Sequence, residues 1–106
     1  MNIDIDGKEI SLEVTDLSTV NGGCVFTVGI GSRNLRVRRE KWGGFVFSPI
    51  SGKLLSINPT GFNILFLLGR FKSVEEMTDF LRKGNPRLSE ELVIKFLKSI
   101  YSFAHV

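Results

Sequence analysis

Strands first and helices after is the order of patterns in these 106 residues, and it predicts an α+β fold. Three observations carry that expectation. Apolar residues alternate with polar ones in short runs up to Ile57. At Asn58-Pro59 the period changes to that of a helix. Beyond it, two serine caps, Ser73 and Ser89, divide the remaining chain into further helices.

The opening NIDIDGKEISLEV reads as a β-hairpin, because Ile3, Ile5, Ile10, Leu12 and Val14 alternate with polar neighbours around Asp6-Gly7, a pair that takes positive φ readily. A polar connection, TDLSTVNGG, leads to a third strand, CVFTVGI, and Gly31-Ser32 turns into a fourth, NLRVRR. GFVFS, the turn PISG and KLLSI complete the strands. Asn58 caps the first helix and Pro59 suits its first turn, where a missing N–H leaves no bond unmade. Phe62, Leu65, Phe66 and Leu68 give it an apolar face, and Gly69 is placed to close it in the left-handed conformation. Ser73 with Glu76 forms a capping box for the second helix, whose stripe is Met77, Phe80 and Leu81 and which Gly84 ends. Ser89, followed by Glu90 and Glu91, starts a third helix that runs to about Phe103. Its core stripe is Val93, Phe96, Leu97, Ile100 and Phe103, with Ile94, Lys98 and Tyr101 alongside; that second row is either a widened core stripe or a docking surface. Strands followed by three helices, with a hairpin just before the helical group, suit a winged helix-turn-helix type of α+β domain.

Composition narrows the function classes. Apolar residues at 42% and charged residues at 24% belong to one ordinary globular domain, with no room for a separate catalytic one. The longest apolar run, Ile64 to Leu68, is too short to span a bilayer, and MNIDIDGKEI lacks the pattern of a signal peptide, so a cytoplasmic location is expected. The single Cys24 excludes an internal disulfide and multi-thiolate metal sites, and in CVFTV it reads as a small buried hydrophobe. His105, the only histidine, stands next to the last residue without an identifiable catalytic partner. No nucleophile–base pair, paired carboxylates, phosphate loop or metal cluster is legible, and GIGSRN lacks the third glycine and the lysine of phosphate-binding motifs. The expectation is a protein that is not an enzyme and carries neither cofactor nor metal.

The net charge of +3 conceals an asymmetry. Residues 1 to 32 hold Lys8 against Asp4, Asp6, Glu9, Glu13 and Asp16, a balance of −4, whereas residues 33 to 106 hold 13 basic and 6 acidic residues, a balance of +7. The densest basic run, RNLRVRREK from Arg33 to Lys41, places Arg36 and Arg38 on one strand face opposite Leu35 and Val37. It reads as a solvated face, with contact to an acidic partner or nucleic acid as the sharper alternative.

One segment resembles a known family. KWGGFVFSPISGKLLSINPTGFNILFLLGRFKSVEEMTDFL is similar to the PqqD family, the peptide-chaperone domains also called RiPP recognition elements: WGG, an aromatic strand, a glycine turn, a strand ending in Asn-Pro-Thr-Gly, then a Ser-Val-Glu-Glu helix start and a third helix. The likeness covers roughly residues 34 to 105 and leaves residues 1 to 32 as an added N-terminal β extension of a single domain whose family-like part is 33 to 106. It implies three strands followed by three helices, and a non-catalytic module that holds the leader of a ribosomally made precursor peptide and presents it to a modifying enzyme, often of the radical S-adenosylmethionine (SAM) class. Precursor and enzyme are then separate polypeptides. In the family the leader adds beside the third strand and lies against the third helix, which transfers here to Lys53, Leu54, Leu55, Ser56 and Ile57 on the strand and to Ile94, Leu97, Lys98 and Tyr101 on the helix.

The residues agree with such a job in their own terms. KLLSI has no proline to block pairing, and an open strand edge grips any extended chain through its backbone while side chains select among them. Alternation separates Leu54 and Ser56 from Lys53, Leu55 and Ile57 but leaves open which set faces the helices. The WGG glycines serve close backbone approach or a bulge, and Trp42 reads as core or groove wall. Two rivals stand beside this reading. A winged helix-turn-helix DNA binder is permitted by the fold order and the basic excess, but Glu75, Glu76 and Asp79 would meet phosphates badly, so nucleic acid is not the expected partner. A scaffold or homodimer pairing through the last helix is the second.

Overall fold

The computed structural model describes residues 1–20 and 23–106. Six antiparallel strands form one sheet in sequence order: β1 (Asn2–Ile5), β2 (Lys8–Val20), β3 (Gly23–Ile30), β4 (Arg33–Glu40), β5 (Gly43–Phe47) and β6 (Leu54–Ile57). Three helices follow, α1 (Pro59–Leu67), α2 (Val74–Leu81) and α3 (Glu90–Ala104). The α+β class read from the sequence is therefore the observed one, and β1, β2 and β3 belong to the same sheet as the rest.

The first hairpin turns at Asp6-Gly7, both with positive φ (52° and 82°), as the twist of a tight hairpin requires. The polar connection expected after it is instead strand. β2 continues to Val20 through a bulge between Thr15 and Ser18, where Asp16 takes φ 53°. A bulge accepts one extra residue in a ladder, so a polar stretch that breaks strict alternation still pairs with β3. Asn21-Gly22 of that connection lies outside the described residues.

One face of the sheet carries the core. Ile3, Ile5, Ile10, Leu12, Phe26, Val28, Ile30, Leu35, Val37, Val46 and Ile57 are buried there. They meet Phe62, Ile64, Leu65 and Leu68 of the first helical turns, Met77 of α2, and Val93, Leu97, Ile100 and Ala104 of α3. Phe26 is wholly buried and receives the rings of Phe62 and Phe66 edge-on at 5.6 and 5.7 Å. Truncating it would cost about 3 to 5 kcal/mol by the usual range for buried phenylalanine.

The three expected caps are in place: the side chains of Asn58, Ser73 and Ser89 accept from the amides of Gly61, Glu76 and Leu92 at 2.7, 3.2 and 3.2 Å. Gly69 does not act as expected. α1 ends with Leu68 in the right-handed region, and no positive φ occurs at Gly69, because the chain continues as a tightened turn in which the Arg70 amide bonds the Leu67 carbonyl. Ala104 is buried in the core, and Phe96 and Phe103 of the expected stripe are half-buried and pack against it.

Candidate functional site: the free edge of strand β6

The strand from which a site would be built is held from below by glycine. Gly43 has φ 143°, and a Cβ placed on it would lie 2.0 Å from the Ile57 carbonyl oxygen. Only glycine allows β5 to start this close to the point where β6 passes into α1. Asn58 then caps α1 directly after Ile57, so sheet edge and helix are fixed within two residues of each other. The WGG and Asn-Pro-Thr-Gly stretches are thus two sides of one joint.

Burial settles which face of β6 is inward. Leu55 is half-buried and Ile57 buried, opposite Val46 and Gly44, whereas Leu54 is 61% exposed and Ser56 is exposed on the outer face. Lys53 is exposed just before the strand. The backbone alternates as well. The Ser48 amide bonds the Lys53 carbonyl at 3.0 Å, which makes Ser48–Lys53 a hydrogen-bonded pair. In an antiparallel ladder such pairs alternate with non-bonded ones, so Leu55 and Ile57 exchange bonds with β5, while the N–H and C=O groups of Leu54 and Ser56 point to the free side. Among the described residues neither of these two amides donates to a backbone carbonyl outside the ladder. β6 pairs with β5 alone and ends the sheet.

The helical residues transferred to the site lie on α3, whose Phe96 packs against Gly61 at the start of α1. α3 packs mainly on α2 and β4, whereas β6 packs on β5 and α1. Leu97 is wholly buried, Ile94 and Tyr101 are half-buried, and Lys98 is exposed. Tyr101 lies over the β3–β4 turn, where a Cβ on Gly31 would be 3.6 Å from its ring. Two strand spacings, about 10 Å, separate β4 from β6, so the structure does not bring Tyr101 and the β6 edge into one contact group. His105 is not loose at the terminus: its Nε2 is 3.2 Å from the Ile30 carbonyl oxygen and its ring lies 4.2 Å from that of Tyr101.

Next to the edge, the outer face joins the arginines read from the sequence to Phe45 and Phe47, which the sequence reading passed over. The register aligns Thr27, Arg36, Phe47 and Leu54 in one row and Val25, Arg38, Phe45 and Ser56 in the next. Val25, Phe45, Phe47 and Leu54 floor a hollow of about 370 Å³ walled by Arg36 and Arg38. Trp42, 48% exposed, stands edge-on to Phe45 at 4.9 Å, which makes it a surface wall and not core. The alternation in GGFVF was the signal for this: with Val46 inward, Phe45 and Phe47 must be outward.

Among the described residues no group of three or more His, Cys, Asp or Glu side chains stands together, and no helix is long and apolar enough to cross a membrane. Comparison with protein-family models, with curated proteins and with solved structures gives no match.

Proposed function

We propose that this protein is a non-catalytic peptide-binding chaperone of the PqqD type, which takes an extended segment of a separate precursor peptide as a seventh strand beside β6 and offers it to a modifying enzyme of the radical SAM class. The same proposal describes the fold as winged helix-turn-helix-like, with β5 and β6 as the wing and β1 and β2 as an added hairpin. One observation carries it: the last strand of the sheet presents free amides and carbonyls at Leu54 and Ser56, with an exposed leucine and no charge or proline within the strand.

Magnitudes decide where specificity must lie. The N–H and C=O of two residues offer four bonds, about 4 kcal/mol net at roughly 1 kcal/mol each. Micromolar affinity needs about 8 kcal/mol. Side chains must supply the remainder, and Leu54, the half-buried Leu55 and the Phe47 ring beside them are the apolar surfaces within reach. On this reading the strand residues Lys53 to Ile57 hold the guest, and α3 with Ile94, Lys98 and Tyr101 contributes only where the guest extends past the strand.

Selection from a displayed library of linear random peptides tests the proposal, with Ser56→Pro as the counter-selecting variant. Recovered peptides should bind the wild type and lose binding to the variant. Recovery of none, or binding indifferent to the proline, would overturn it.

A further inference from the structure

Across β4, β5 and β6 the outer face carries two parallel rows that differ only in their last residue: Arg36, Phe47, Leu54 and Arg38, Phe45, Ser56. In the first row the neighbour of the Phe47 ring toward the free edge is a leucine. In the second, the neighbour of Phe45 on that side is Ser56, which is exposed and ends in a single hydroxyl. The opposite flank of Phe45 is taken, since the Arg38 guanidinium carbon lies 5.6 Å from its ring centre and is itself paired with Glu40 at 2.7 Å. Trp42 stands edge-on to the same ring at 4.9 Å with 48% of its own surface exposed. The aromatic surface thus runs up to β6 and stops one side chain short of the edge.

The register decides what meets that gap. Every neighbouring pair in this sheet is antiparallel, and a guest that pairs with β6 in the same sense forms hydrogen-bonded pairs with Leu54 and Ser56. Two side chains opposite each other in such a pair leave the same face. Because the strands run oppositely, the guest residue facing Ser56 comes two positions before the one facing Leu54. Two strand spacings, about 10 Å, separate that first residue from Phe45. Paired aromatic rings meet at centroid distances of about 4.5 to 7 Å, so a ring leaning in over Ser56 reaches Phe45 and an alanine does not.

We infer that Ser56 and Phe45 form the selecting pocket of the peptide site: the guest is a peptide with a bulky apolar residue, aromatic above all, opposite Ser56. The position two residues later, opposite Leu54, is far less selective, because Leu54 already fills its row. The inference rests on strand capture at β6 and adds to it which chains are captured. Backbone bonds are the same for any sequence, so discrimination comes from the place where the host leaves room. An aromatic side chain carries about 150–250 Å² of surface, and covering half of it favours it over alanine by at least about tenfold. Opposite Leu54 the corresponding preference is no more than about fivefold, the range of an ordinary cross-strand pair.

Calorimetry tests this on a tryptophan-free peptide recovered from the random library and lost to Ser56→Pro. Alanine substitution along the peptide should find one position that costs at least about tenfold and, two residues later, one that costs no more than about fivefold. Ser56→Leu keeps the amide and fills the gap, so it should bind the parent peptide at least about tenfold more weakly while binding the alanine peptide as wild type does. Phe45→Ala should bring parent and alanine peptides within about threefold of each other, the coupling expected of two groups in contact. Trp42 is the only tryptophan, so its emission should move to shorter wavelength when the parent peptide saturates the protein and stay in place with the alanine peptide. Circular dichroism identifies any variant that fails to fold, and the emission shift needs no variant of the protein. A proline-sensitive peptide without such a position, one that binds folded Ser56→Leu as tightly as wild type, or one that leaves Trp42 emission unmoved would overturn the inference while strand capture stands. Recovery of no proline-sensitive peptide would overturn both. Emission that shifts with protein concentration alone would assign the face to a second copy and overturn the inference as well.

Discussion

The two edges of the sheet are built alike in the backbone and differently in the side chains. At the β1 edge the Met1 carbonyl accepts from Leu12 at 2.8 Å, so Met1 and Ile3 bond β2 and the outward groups belong to Asn2 and Asp4. At the β6 edge they belong to Leu54 and Ser56. Asp4 places a carboxylate on its edge, directly opposite Glu9, and Asn2 bonds Glu9 at 2.9 Å. Charge on an edge is the usual means of discouraging another strand, because pairing would bury it. Within β6 itself no residue is charged, and Lys53 stands exposed just before it. An edge that other sheets conceal is here apolar and open, and that difference is the physical basis for assigning capture to one end of the sheet.

The contrast is open to direct attack. The largest effect is expected from removing the joint beneath β6: Gly43→Ala forces a Cβ into the Ile57 carbonyl and should lower unfolding free energy by about 3 kcal/mol or more in a denaturant titration. Leu55→Pro comes next. Its amide faces β5, so the change breaks the ladder, and thermal unfolding should register a loss of about 3 kcal/mol that confounds any binding measurement. Ser56→Pro is the selective counterpart, because its amide faces outward: stability should fall by no more than about 1 kcal/mol while peptide affinity drops below detection by calorimetry. Asp4→Pro, the matching change at the other edge, should leave peptide affinity unaltered. The smallest effect belongs to Tyr101→Ala, which lies over the β3–β4 turn; a loss of affinity larger than about threefold would return α3 to the site.

Much of this fold was legible from residue order. Asp6-Gly7, Gly31-Ser32, Asn58-Pro59, Ser73 and Ser89 are local signals, each sufficient to mark a turn or a cap without knowledge of the rest. The continuation of β2 was not legible, since Asp16 and Leu17 interrupt alternation and only pairing with β3 reveals a bulge. Gly69 misled for a similar reason: glycine permits a left-handed cap but does not impose one. For the site, KLLSI announced an unblocked strand but not which of its faces is buried, because both sets contain a leucine. Val46 and Gly44 across the ladder decide that, and they are known only from the register. That α3 packs mainly on α2 and β4 was equally hidden, as helix order says nothing about which strand a helix covers.

Amide hydrogen exchange by NMR, with and without a library-selected peptide, tests capture at β6 most directly. Addition of peptide should slow exchange at Leu54 and Ser56 and leave Asn2 and Asp4 fast, since bonds to the guest form only on the uncharged edge. Unchanged exchange at Leu54 and Ser56 while the peptide is bound, or protection appearing at Asn2 and Asp4 instead, would contradict it.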